Sequence, residues 1–247
     1  MNRAWIKSRL VWCGASLLVI TACKKEEPVL EPAPESTAPA TRTEPAAAPP
    51  ATAAAPATAA SADGVTSPVL DKAAPDFTLK GLDGKEVSLS SFKGKTVVLE
   101  WFNPGCPYVK NSHTLGSLVN TAQKHESAGV VWLAINSGAP GKQGHDLAEN
   151  QEAVKAWKLS HPVLRDEDGK VGQAYAAART PHMFVIDKEG VVRYAGAIDN
   201  SPDGEGGAPT GGTLVNYVDA ALEDLNANRT VRTPLTKAYG CGVKYGS

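Results

Sequence analysis

Cysteine is scarce in this 247-residue chain: there are four, Cys13, Cys23, Cys106 and Cys241, and no two of them form a C-x-x-C pair. The five histidines include no pair at zinc-motif spacing, so neither a local dithiol nor a structural zinc site is written in the sequence. Charge of one sign is lacking as well. A formal net charge of -1 gives no electrostatic case for binding nucleic acid. Long apolar runs are missing, the most apolar stretch, "LVWCGASLLVI", being too short to cross a bilayer. No internal repeat is present, and nothing in the pattern asks for a cofactor or a metal.

What the sequence does contain begins with a sorting signal. "MNRAWIKSR" is basic, "LVWCGASLLVI" is apolar, and "ITAC" ends in small residues before a cysteine. The pattern resembles the lipobox of bacterial lipoproteins, which implies a signal peptide over 1–22 and lipidation at Cys23. A non-lipidated secretory signal or a short anchor is the alternative. Removing the leader takes away Arg3, Lys7 and Arg9 and no acid, leaving a more acidic chain. The expected location is the cell envelope, lipid-anchored and facing the periplasm. Lysine rather than aspartate after Cys23 favours the outer membrane over the inner. Residues 23–67 are mostly Ala, Pro, Thr and Glu with few large apolar side chains. Such a segment cannot offset an ordering cost of roughly 1 to 2 kcal/mol per residue, so it reads as a disordered tether. Residues 68–247 remain as one α/β domain.

Along that domain, Phe77, Leu79, Val87 and Leu89 alternate around "LDGK", an N-terminal hairpin extension. "TVVLEWF" and "GVVWLAIN" read as buried strands. Between them Leu115, Leu118, Val119 and Ala122 recur at helical spacing, which predicts a long helix after Cys106 and parallel pairing of the two strands. A helix at "DLAENQEAVKAWK", the segment "HPVLRD" and a short helix at "DGKVGQAYAAA" follow. "HMFVID" and "VVRYAGAID" form a hairpin through "KEG". A last helix carries Leu214, Val218, Ala221, Leu222 and Leu225 on one stripe. The sum is a mixed central sheet with helices on both faces.

Four places carry candidate chemistry. Cys106 ends a strand, and Pro107 behind it suits the first helical position, so Cys106 is the expected N-cap. Unpaired N–H groups and the helix dipole there favour thiolate. Lowering a thiol from about 8.5 to about 7 takes only roughly 2 kcal/mol. An inert buried cysteine is the alternative. Glu100 is a carboxylate in a strand that should be apolar on both faces, so it must be neutral, hydrogen-bonded or engaged in moving protons. The hypothesis is a proton acceptor beneath the cysteine, against an acid near a sheet edge reaching water. Thr180-Pro181 before a strand is a candidate cis-proline turn that brings backbone groups to the thiol; a trans proline starting an edge strand is the other reading. Lys110 and Arg179 are cations near the expected site. Among the histidines only His182 is expected near the thiol, packed or facing solvent rather than catalytic. Cys241 lies between glycines in "YGCGVKYGS", on what reads as a mobile tail. A bridge from it to Cys106 would close a loop worth on the order of 5 kcal/mol, which suits a structural bond as well as a catalytic one.

"APDFTLKGLDGKEVSLSSFKGKTVVLEWFNPGCPYV", "RTPHMFVID" and the "GCGVKY" ending resemble the thioredoxin-like redoxins of the alkyl hydroperoxide reductase and thiol-specific antioxidant superfamily, over roughly Leu70 to Tyr245. The resemblance implies a thioredoxin-like fold, a reactive Cys106, a cis-proline at Pro181 and a buried acid at Glu100. Two departures stand out. Val109 occupies the second cysteine position of C-x-x-C, and Leu99 and Asn103 occupy the proline and hydroxyl positions of P-x-x-x-T/S-x-x-C. Cys241 is then the one candidate within the domain to resolve an oxidised Cys106. The expected activity is an envelope thiol oxidoreductase acting on a thiol or disulfide protein or on a peroxide, with Thr180, Pro181 and Pro107 at the substrate. The alternative is a non-catalytic binding module with a permanent Cys106–Cys241 bridge.

Overall fold

The computed structural model describes residues 64–246; the expected signal peptide, the lipidation site Cys23 and all but the last four residues of the tether lie outside them. Among the described residues the chain builds β1 (Thr78–Gly81), β2 (Glu86–Ser88), β3 (Val97–Trp101), α1 (Pro107–Thr114), α2 (Thr121–Ser127), β4 (Val131–Asn136), α3 (Leu147–Ala156), β5 (Val163–Arg165), α4 (Lys170–Ala174), β6 (Arg179–Thr180), β7 (Met183–Ile186), β8 (Val192–Gly196), α5 (Tyr217–Asn226) and β9 (Cys241–Gly242). Seven strands form one mixed sheet in the order β2-β1-β5-β4-β3-β7-β8. β6 and β9 form a separate two-stranded ladder.

β3 lies at the centre because "VVLEW" is buried at every position and pairs on both sides. It runs parallel to β4, which runs parallel to β5, and antiparallel to β7. The period-2 alternation sorts its side chains. Val97, Leu99 and Trp101 face one layer with Leu133, Ile135, Phe184 and Ile186, and Tyr175 after α4 packs its ring on Trp101. Val98 faces the other layer with Trp132, Met183, Val185 and the α5 residues Val218, Ala221 and Leu222. Helices therefore cover both faces, and the thioredoxin-like arrangement expected from the sequence is present. The β1–β2 hairpin also forms, with β1 pairing antiparallel to β5, so it extends the main sheet.

Two helical readings are corrected. The long helix after Cys106 is two short ones. α1 stops at Thr114, Asn120 adopts a left-handed conformation, and α2 starts at Thr121. Leu115 and Val119 are exposed while Leu118 and Ala122 are buried, so the expected stripe does not lie on one helix. A loop contact accompanies the break: a Cβ on Gly116 would sit 2.2 Å from the Gly204 carbonyl oxygen. Leu214 is likewise exposed and precedes α5.

Candidate active site

Cys106 is the N-cap of α1, with extended backbone dihedrals and Pro107 at the first helical position. Its side chain is fully buried, with Phe102, Val109 and Ala134 among its apolar neighbours. Pro107 is exposed. The turn before the cysteine is braced from outside. Asn103 Oδ1 accepts from the Gly105 N–H at 2.9 Å, Asn103 Nδ2 donates to the Gln143 carbonyl at 3.3 Å, and Gln143 Nε2 donates to the Gly105 carbonyl at 2.8 Å. The residue standing at the hydroxyl position of the peroxide motif thus spends its polar atoms on loop structure.

The Thr180-Pro181 peptide bond is cis, as expected, and Thr180 and Pro181 are both buried. The Cys106 S–H donates to the Thr180 carbonyl at 3.1 Å. Thr180 Oγ1 is buried with no hydrogen-bond partner, and the Thr180 side chain is among the groups that favour the ionised sulfur. The sequence reading expected Thr180 to hold a partner chain by its backbone. In the structure it holds the chain's own tail, since β6 pairs antiparallel with β9, Thr180 opposite Cys241 and Arg179 opposite Gly242.

That pairing brings the two cysteines together, both as free thiols. Burial pushes the Cys106 thiol up, but hydrogen bonds from the Cys241 side chain, the Thr180 side chain, and the Val109 and Cys241 backbones outweigh it, and the thiol ends below its ordinary value. Val109 N–H is one of the unpaired amides of the first helical turn, so the dipole argument made from sequence has a named group behind it. Cys241 moves the other way. Burial, its hydrogen bond to Cys106 and the Cys106 charge push it up to about 11, with Lys244 and Arg179 opposing. In the pair, Cys106 ionises first and the Cys241 thiol donates to it. Lys110 is exposed on α1.

The expected mobile tail is instead docked. The Val243 N–H donates to the Ala178 carbonyl, the Ala139 N–H donates to the Lys244 carbonyl, and Tyr245 Oη donates to the Ala177 carbonyl at 2.7 Å. Gly240, at φ +98°, comes so close to β6 that a Cβ would lie 2.2 Å from the Thr180 carbonyl oxygen. Gly240, read as a sign of mobility, is there for close approach, whereas Gly242 has open space around it.

Glu100 is fully buried on β3, and the hydrogen bonds of its carboxylate go to His113 and Trp132 rather than to the sulfur. Oε1 accepts from His113 Nε2 at 2.7 Å and Oε2 accepts from Trp132 Nε1 at 3.2 Å. Burial alone would raise this carboxyl; the His113 charge and hydrogen bond, then His161 and the Trp132 hydrogen bond, bring it below the usual range. His113 stacks on Trp157, and His161 is buried with neither ring nitrogen hydrogen-bonded. Burial, with repulsion from His113, brings His161 down to about 4 against the opposing attraction of Glu100. The acid the sequence singled out is therefore the centre of a polar cluster whose other members sequence reasoning missed. His113 offered one signal, lying seven residues after Cys106 and so on the same inward face of the helix. His182 packs on Phe184, the packed placement expected of it from the sequence. Among the described residues no group of three or more His, Cys, Asp or Glu is disposed to hold a metal ion.

Residues 69–208 match the family model described as Redoxin. Among curated proteins, the chain is 31% identical over 148 residues to a chloroplastic peroxiredoxin Q of Triticum aestivum, covering 55% of this chain and 63% of that one. It is 32% identical over 129 residues to the thiol-disulfide oxidoreductase ResA of Geobacillus thermodenitrificans, covering 52% and 69%. The chain thus spans less than two thirds of the length of that peroxiredoxin Q. Of solved structures, it is similar to an uncharacterized conserved protein from Geobacillus kaustophilus, at 30% identity and a TM-score of 0.62 over 74% of this chain and 96% of that one. A hypothetical protein from Sinorhizobium meliloti 1021 gives 26% identity and a TM-score of 0.63 over 72% and 95%.

Proposed function

The chain belongs to the Redoxin family, and from that premise we propose that it is a thiol-dependent oxidoreductase in which Cys106 is the attacking sulfur and Cys241 resolves it. The observation that carries this reading is the Thr180–Cys241 register, which sets a second thiol opposite the residue whose carbonyl accepts from the Cys106 S–H.

The Cys106 thiolate attacks either of two oxidants. With a hydroperoxide, ROOH, the sulfur takes the terminal oxygen as sulfenic acid and ROH leaves; Cys241 then displaces water to form the Cys106–Cys241 disulfide. With a disulfide, RSSR, the thiolate forms a mixed disulfide and expels RS⁻, and Cys241 attacks Cys106 Sγ to release the second RS⁻. Either route ends in the same bridge. An external thiol reopens it, and two thiols per turnover return the dithiol and leave one RSSR. Of the two sulfurs in the bridge, Cys241 is the less buried and Cys106 the better leaving group, so the reductant enters at Cys241. Glu100, held by His113 and Trp132, fixes α1 against β3 and keeps charge beneath the site.

The reading includes location. The basic leader, short apolar run and "ITAC" support anchoring through lipid on Cys23 at the envelope, in the outer membrane by the Lys24 signal, and mass spectrometry of the mature N-terminus with membrane fractionation tests it.

The test of activity is mass spectrometry of thiol-alkylated protein before and after stoichiometric peroxide. Cys106 and Cys241 are expected to couple, and millimolar thiol is expected to reopen the bond. A bridge that resists reduction, or Cys106→Ser retaining full reductase and peroxidase activity, would leave the non-catalytic module instead.

A further inference from the structure

The edge of β6 is where an extended chain could pair beside Cys106, and in this molecule it is filled. Thr180 and Arg179 are taken by Cys241 and Gly242. The occupant is seated in a fitted slot. Gly240 has no room for a side chain against Thr180 and Tyr108, and a Cβ on Gly172 in α4 would lie 2.4 Å from the Tyr245 hydroxyl oxygen. Backbone bonds from Val243 to Ala178 and from Ala139 to Lys244, with the Tyr245 bond to Ala177, hold the tail just after β9. Under this cover Cys106 is fully buried, while Cys241 remains partly exposed.

We infer that the C-terminal segment, β9 through Tyr245, is an intramolecular occupant of the β6 edge that closes Cys106 to other polypeptide chains and admits only small reagents to its sulfur. A protein disulfide presented as an extended strand would have to displace four or more backbone and side-chain contacts before reaching the thiolate, whereas a hydroperoxide or a low-mass disulfide needs only a local opening. The inference deepens the proposed activity by naming its oxidant class, and as a route to catalysis it rests on Cys106 being the reacting sulfur.

Size-selective labelling tests it without turnover, so failure of the catalytic reading and failure of this one are read separately. In reduced full-length Cys241→Ser protein, loss of the unmodified Cys106 peptide is followed with N-ethylmaleimide and with a long polyethylene-glycol maleimide. The bulky reagent is expected to be slower by at least about tenfold, because labelling follows the population of the opened tail. Adding Tyr245→Ala, which removes the anchor, or Gly240→Ala, which forces a clash with Thr180, should bring the two rates together. Equal rates in the Cys241→Ser parent would overturn the inference, as would an unchanged ratio in folded tail variants. Should those variants not fold, hydrogen exchange in the unmutated protein decides. A Val243 amide as protected as those of β7 supports the seated tail, and exchange at the rate of a free chain refutes it.

Discussion

Cys241 stands directly opposite Thr180 in the β6–β9 ladder, and the Thr180 carbonyl is the acceptor for the Cys106 S–H. One residue of one two-residue strand thus connects the two sulfurs. In the proposed reaction, a cysteine 135 positions downstream in sequence takes the place that a nearby second cysteine has in a C-x-x-C turn.

Because the Cys241 side chain is the first of the influences that lower the Cys106 thiol, Cys241→Ala should raise it. The pH profile of Cys106 alkylation reads this directly. Its midpoint should lie below the free-cysteine value of about 8.5 in the unmutated protein and move upward in the variant, with about tenfold less thiolate at neutral pH for each unit gained. A midpoint that stays in place would show that Cys241 does not tune Cys106.

The bridge should open with a fixed polarity. When the oxidised protein meets one equivalent of a small thiol and is acid-quenched, peptide mapping should find the mixed disulfide on Cys241 and an alkylatable thiol at Cys106. Accessibility and leaving-group strength agree in this direction. An adduct found mainly on Cys106 would reverse the assignment.

Glu100→Gln removes one member of a buried pair and leaves His113 facing a neutral group. A loss of about 3 to 5 kcal/mol at neutral pH is expected from denaturant unfolding. The folded-state pKa of Glu100 lies below its ordinary value, so its contribution is present above the unfolded value of about 4.3 and fades as pH falls through the lower folded one. The difference between unmutated and variant protein should therefore shrink only in strong acid.

His161 acts in a different window. Its folded-state pKa of about 4 lies below the unfolded 6.5, so as pH drops the unfolded chain takes up the proton first and the native state loses ground between those values. His161→Phe should flatten that loss by up to about 3 kcal/mol between pH 6.5 and 4. His182, also brought down to about 4 by burial, keeps a similar slope in both proteins and serves as the internal reference. Parallel pH-stability curves for the two proteins would contradict this.

Much of the site was legible because its signals are local. The strand end, Pro107 at the first helical position and the Thr180-Pro181 dipeptide each depend on a few adjacent residues, and each sits in the structure as read. The apolar periodicity after Cys106 misled because Leu115 and Val119 satisfy a helical pattern while the contact of Gly116 with Gly204 sits where the helix breaks. No local rule contains a carbonyl 88 residues away.

The sequence by itself determined the central strands β3, β4, β7 and β8, the placing of a thiol at a helix start, and the presence of an acid where hydrocarbon belongs, since propensity, period and capping are properties of neighbouring residues. Only the tertiary structure decided what those groups meet. It set Glu100 against His113 and Trp132, and it laid the Gly240–Tyr245 tail across β6 with Cys241 in register with Thr180. Such long-range contacts are chosen by steric fit and by completing backbone hydrogen bonds in three dimensions, and spacing along the chain carries no trace of either.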